Sequence, residues 1–111
     1  MRVMKRRALQ MLVNDGIDFY MEQWGSVSTP TGQRLERIAG GQFLFSGSEI
    51  SEAQAKKILR KQLEIKFDEA CQGAMARGWI NITFLKSKVK LRIIRESAMN
   101  RPAFYISERT K

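Results

Sequence analysis

The chain contains no histidine and a single cysteine. Histidine is the commonest general base and metal ligand, so Ser-His, Cys-His and zinc-type sites cannot be assembled within this chain. Cys71 has no second cysteine to pair with. That excludes an intramolecular disulfide framework and makes it a small apolar-face residue suited to a reducing compartment. No glycine pair is followed by a phosphate-loop lysine, so nothing supports nucleotide binding. No apolar run approaches the roughly 18 residues of a membrane span. Residues 8–13 are too short for a secretory core and are broken by Asn14, Asp15 and Gly16. These absences point to a cytosolic or nucleoid-associated protein with no membrane partner, no metal and no cofactor.

What is present is positive charge. The 111 residues are 43% hydrophobic and 28% charged, which fits one globular domain over 1–111 with a core of its own rather than a disordered chain. Net charge is +9, and it is unevenly placed. Residues 1–14 carry Arg2, Lys5, Arg6 and Arg7 with no acid, and residues 86–111 carry eight basic residues against Glu96 and Glu108. The middle, 15–85, is nearly balanced. Charge clustered at both ends of a chain is less expected from solubility alone than scattered charge, and it suggests a polyanionic partner.

Leu9, Leu12, Val13, Gly16, Ile17, Tyr20, Met21 and Trp24 form one stripe at helical spacing, which predicts a helix that runs through Gly16. A glycine on the buried side suggests that another element crosses closely there. Gly25 fits the C′ position, and Tyr20 and Trp24 are read as packing residues. Residues 25–32 read as a loop. Thr29 as N-cap with Pro30 at N1 predicts a short helix over 30–39, followed by a minimal strand at 42–45. Ser51 and Gln54 form a capping box, with Ile50 as staple, so a helix starts at Glu52. Its stripe of Ala55, Ile58, Leu59, Leu63, Phe67, Ala70, Cys71, Ala74 and Met75 is compatible with one helix to about Arg77, or with two helices joined near 61–66. Gly78 ends it.

Residues 79–94 then alternate. Ile80, Ile82 and Phe84 are interleaved with Asn81 and Thr83, and Val89, Leu91 and Ile93 with Lys88, Lys90 and Arg92, around a turn at 85–88. One face of this hairpin is apolar and the other cationic. Residues 96–102 read as a loop, 103–107 as a third strand with Phe104 and Ile106 opposite Tyr105, and 108–111 as a frayed end. The expected fold class is α+β: N-terminal helices, a capped amphipathic helix or helix pair, then an antiparallel hairpin or three-stranded sheet.

This order of elements, with a helix ending at Arg77 and Gly78 just before a strand-turn-strand, resembles the winged helix-turn-helix DNA-binding superfamily. The resemblance implies a winged-helix-like fold, a recognition helix over 66–77 in a major groove, and a wing at 85–88 reaching phosphates. Glu22, Gln23, Trp24 and Gly25 after a helix also resemble the start of small lambdoid phage antitermination proteins.

Lys88, Lys90 and Arg92 on one strand face repel each other unless an anion relieves them. Lysines also protect strand edges from aggregation, which accounts for one or two of them. The candidate nucleic-acid-binding set is Lys86, Lys88, Lys90, Arg92, Arg95 and Arg101, with Lys56, Lys57, Arg60 and Lys61 on the preceding helix and Arg77 at its end. Arg6 and Arg7 extend the field if the termini converge. Tyr105 or Phe104 is available to stack on a base. Asp68 and Glu69, like Asp15 and Asp18, read as solvent-facing helix residues, so no catalysis is expected. Two functions follow from the charge. One is a nucleic-acid-binding protein, DNA more than RNA, of transcription or phage regulatory type. The alternative is a phage or plasmid accessory protein that grips an acidic host protein, including an antitermination-type factor acting on RNA polymerase.

Overall fold

In the computed structural model, which describes residues 1–83 and 89–108, two helices lie side by side and a four-stranded antiparallel sheet caps each end of the pair. Strand β1 (Arg2–Val3) leads into helix α1 (Lys5–Glu22). A meander of β2 (Ser26–Ser28), β3 (Arg34–Arg37), β4 (Gln42–Phe45) and β5 (Ser48–Ser51) follows, then helix α2 (Glu52–Arg77), and finally β6 (Trp79–Thr83), β7 (Val89–Glu96) and β8 (Arg101–Glu108). The meander forms one sheet in the order β2-β3-β4-β5. The terminal strands form the other in the order β1-β8-β7-β6. The fold class is α+β, and the molecule is elongated, 52 × 29 × 19 Å.

The helices are antiparallel, and each half of the pair has its own core. Ala8 of α1 packs with Phe67, Ala70 and Ala74 of α2 and with Leu91, Ile93 and Phe104 of the terminal sheet. There Phe67 and Phe104 stack with ring centres 5.5 Å apart. At the other end Val13, Ile17 and Met21 meet Ala55, Leu59 and Leu63 over Leu35 and Phe43 of the meander. Gly16 sits between these cores. A Cβ built on it would lie 2.6 Å from Leu63 Cδ1 and 2.8 Å from Cδ2, so the close crossing expected from its place on the stripe is there.

The secure features of the sequence hold. Helix α1 passes through Gly16, and α2 begins on a complete capping box: the Gln54 amide donates to Ser51 Oγ at 3.2 Å and the Ser51 amide to Gln54 Oε1 at 2.9 Å. Gly78, in the left-handed conformation, closes α2. Of the two options for 52–77, the single helix is the one adopted. Residues 61–66 are continuous helix, so the turn that a helix-turn-helix pair requires is not present.

Several expectations are corrected. There is one N-terminal α-helix, not a pair: 30–33 turn β2 back into β3, and the only helical piece that follows before β4 is a single 3-10 turn, Ala39–Gly41. Thr29 and Pro30 open a turn in which the Gly32 amide donates to Thr29 O at 2.9 Å and the Thr29 amide to Gln33 O at 2.7 Å. Gly32, at φ +93°, is the left-handed residue that completes a three-residue hairpin loop, and β3 follows. The 25–32 loop contains β2. The expected minimal strand at 42–45 is paired on both sides, and β5 was not expected at all. Ser46 and Gly47, both at positive φ, form the two-residue turn that joins β4 to β5. The 96–102 loop shrinks to residues 97–100, and the terminal sheet gains β1 as a fourth strand.

Helix α1 ends at Glu22, two residues short of the end of the stripe at Trp24. Gly25 therefore lies two residues beyond the Gln23 cap, and Trp24 is 84% exposed, covered on one side by the Arg37 guanidinium at 5.0 Å. Asp15, read as solvent-facing, is buried. The expected turn at 85–88, with Lys86 and Lys88, lies outside the described residues, and of the end expected to fray, 108–111, Glu108 is instead the last residue of β8, paired with Val89, while 109–111 lie outside the described residues.

Candidate nucleic-acid interface

The terminal sheet buries one face on the helices and leaves the other to solvent. The period-2 geometry of strands sends alternate side chains to opposite faces, so the buried Leu91, Ile93 and Phe104 fix which residues point away. Strand pairing then sets them in rows. One row runs Arg2, Tyr105, Arg92, Asn81 across β1, β8, β7 and β6. The next is Ser107, Lys90, Thr83, and on the other side lie Ala103, Ile94, Trp79. Trp79 is 53% exposed, Arg92, Asn81, Thr83 and Ser107 are exposed, and Tyr105 and Lys90 are half-buried.

The cations of this end differ in how they are engaged. Glu96 pairs with Arg2 at 2.6 Å and, more loosely, with Arg101 at 3.9 Å, so both arginines belong to an ion cluster at one corner of the face. Arg95 belongs to the opposite face. Its Nη1 donates to the Met75 carbonyl at 3.1 Å near the end of α2, where a cation also complements the helix dipole. Arg95 is thus a helix-end partner. Among the described residues, no ion pair engages Lys90 or Arg92.

The termini do converge. β1 pairs with β8, placing Arg2 beside Tyr105 and Val3 beside Phe104, and the N-terminal amine donates to Ile106 O at 3.0 Å. This brings the exposed Lys5, Arg6 and Arg7 of the first α1 turn to the same end as β7 and β8. Three cations at the positive end of a helix dipole, with no acid and no side-chain cap, are unfavourable for the helix itself. Their placement is explained by something other than helix stability.

The remaining predicted residues are elsewhere. Lys56, Lys57 and Arg60 line an open groove between α1 and α2 with Asn14, Ile17, Asp18 and Ala53, beside the meander sheet. Lys56 is also paired with Glu52 at 3.6 Å. Lys61 is exposed on the same half of α2, and Arg77 is exposed in its last turn. The structure therefore separates the α2 cluster from the sheet face that holds Lys90 and Arg92. Glu64, Asp68 and Glu69 are exposed along the middle of α2, which keeps that stretch acidic.

No family model, curated protein or solved structure matches the chain. The chemistry must be read from the face itself. No helix among the described residues is long and apolar enough to cross a membrane. Cys71 is half-buried against the terminal core. Burial raises its thiol above the usual range, Lys5 nearby lowers it in part, and Asp68 raises it further, which disfavours the thiolate form. Of the two aromatics considered for stacking, Phe104 is buried against Phe67 and Tyr105 is on the outer face.

Sequence reasoning passed over Trp79, treating it as the start of the hairpin. Its signal was parity: it shares the face of Asn81 and Thr83, the polar side of an alternating strand.

Proposed function

We propose that this protein binds nucleic acid with the outer face of its terminal sheet, gripping phosphates through Lys90 and Arg92. The observation that carries this reading is the pairing pattern of the cations. The acid on this face, Glu96, is occupied by Arg2 and Arg101, while Lys90 and Arg92 project from adjacent rows with no carboxylate partner among the described residues. Such charges gain most when an external polyanion replaces their counterions. Lys5, Arg6 and Arg7 add to the field at this end at the expense of α1's own electrostatics, as expected of charge kept for a ligand.

The mode differs from that implied by the winged-helix resemblance. The acidic middle of α2 is a poor candidate for a major groove, and the contact surface favoured here is the sheet, not a helix. Fluorescence anisotropy with duplex and single-stranded DNA and RNA at two salt concentrations tests the reading. Binding whose logarithmic affinity falls linearly with log salt is expected. No binding to any of the four at low salt would refute it.

A further inference from the structure

We infer that the ligand of this face is a single strand with splayed bases, held by stacking on Trp79 and Tyr105 with Arg92 between them. The inference rests on the proposed nucleic-acid reading and specifies its substrate class. A surface that only grips phosphates needs cations and hydrogen-bond donors. Two aromatic rings left on the solvent face of a sheet contribute nothing to that, and each exposes apolar area to water. Base stacking gives them a use, because every base presents a π-face whatever its sequence.

The register fixes how the rings are spaced. Trp79 on β6 and Tyr105 on β8 flank β7, and Tyr105 lies two residues along from the Ala103, Ile94, Trp79 row. Two strand spacings across and two residues along place their backbones about 12 Å apart. Arg92 stands directly beside Tyr105 in its row and diagonally from Trp79. Stacked nucleotides rise only about 3.4 Å each, so neighbouring bases of a duplex strand cannot reach both rings. An extended strand with unstacked bases can, with an intervening phosphate falling on the Arg92 side chain. Asn81, Thr83 and Ser107 surround this path with short donors and acceptors suited to base edges rather than to a second layer of protein.

Oligo(dT) and oligo(rU) of about 12 nucleotides, and a duplex of the same length, provide the test. The single strands should bind more tightly than the duplex. Trp79→Ala and Tyr105→Ala should each weaken single-strand binding about 5- to 100-fold while duplex affinity changes little, and Trp79→Phe should retain binding to within a few-fold. The dT and rU arms show whether DNA or RNA is preferred. Because an alanine variant can perturb the sheet, a second readout uses the intact face. In Trp24→Phe protein, Trp79 is the sole tryptophan, and its fluorescence should be quenched on adding either single strand. Duplex binding as tight as single-strand binding, with both alanine variants unchanged and Trp79 unquenched, would overturn the stacking inference and leave the nucleic-acid reading standing. Failure to bind any of the three probes would overturn both.

Discussion

Replacing Gly16 by alanine should reveal how tightly α1 and α2 cross. Two opposed effects act at this position. Alanine restores the roughly 1 kcal/mol of helix propensity that an interior glycine forfeits. Its Cβ, however, would sit 2.6 and 2.8 Å from the Leu63 methyl carbons and 3.3 Å from Leu63 Cγ. Leu63 is only 6% exposed and packs with Val13, Ile17 and Leu59, and on its other side it borders, with Gly16, a small pocket lined by Leu12, Tyr20 and Pro30, so its branch carbon as well as its methyls must shift. Forcing a methyl into such a site costs about 1–3 kcal/mol. The net expectation is a change from near zero to about 2 kcal/mol of destabilisation, read by urea unfolding monitored by circular dichroism. The decisive comparison uses Leu63→Ala as a second background. That substitution alone costs about 2–5 kcal/mol, but it removes the obstacle, so Gly16→Ala should then stabilise by about 1 kcal/mol. The change of sign isolates the clash from the propensity. If Gly16→Ala stabilises the parent protein as much as it stabilises Leu63→Ala, the helices do not touch there and the reasoning fails.

Three further outcomes are expected. Ser51→Ala removes the N-cap of α2 and should cost about 1 kcal/mol in urea unfolding; an unchanged midpoint would mean that the β5–α2 junction does not depend on the capping box. Lys90→Ala with Arg92→Ala should lower the slope of log affinity against log salt by about 1.4 for single strands, two phosphate contacts at about 0.7 each, and an unaltered slope would remove these residues from the contact. Burial raises both the Tyr20 phenol and the Cys71 thiol, with Asp68 adding to the latter. Groups whose folded values are raised contribute stability that is complete below their ordinary values and is lost as pH climbs through the raised ones. Unfolding free energy should therefore decline on the alkaline side, and Cys71 should react with an aromatic disulfide more slowly than a free peptide thiol at neutral pH; a rise in stability there, or a fast thiol, would contradict the burial.

The parts of the fold that were legible in sequence are those where one physical signal acts alone. The stripe through Gly16 and the phase kept from Ala55 to Met75 describe helices whatever surrounds them, and Ser51 with Gln54 admits only a helix start. The parity of Phe104 and Tyr105 placed one ring inside and one outside. The meander was misread because Thr29-Pro30 suits two structures. A threonine acceptor followed by a proline fixed near φ −65° opens a helix or the first corner of a hairpin turn equally well. Gly32 was the discriminating residue, since a left-handed corner is natural for a bulge and costly inside a helix. Ser46-Gly47 carried a similar hairpin signal between two short strands. β1 was illegible for a different reason: two residues have no periodicity, and their partner is at the far end of the sequence. The candidate site was readable in its charges, Lys90 and Arg92, but Arg95 and Arg101 could be separated from them only by strand register and by the positions of Met75 O and Glu96.

The pairing of β1 with β8 sets an order of events during synthesis. Residues joined by the Met1 to Ile106 bond are 105 positions apart in the chain, so β1 emerges from the ribosome long before the strand it needs. The helices and the meander have local partners and can organise first. The terminal sheet cannot close until β8 is free, and Arg2, Tyr105, Arg92 and Asn81 become a single row only at that moment. A nascent chain therefore carries its positive N-terminal segment unassembled, and the proposed nucleic-acid surface is completed only after α1, the meander and α2 have been made.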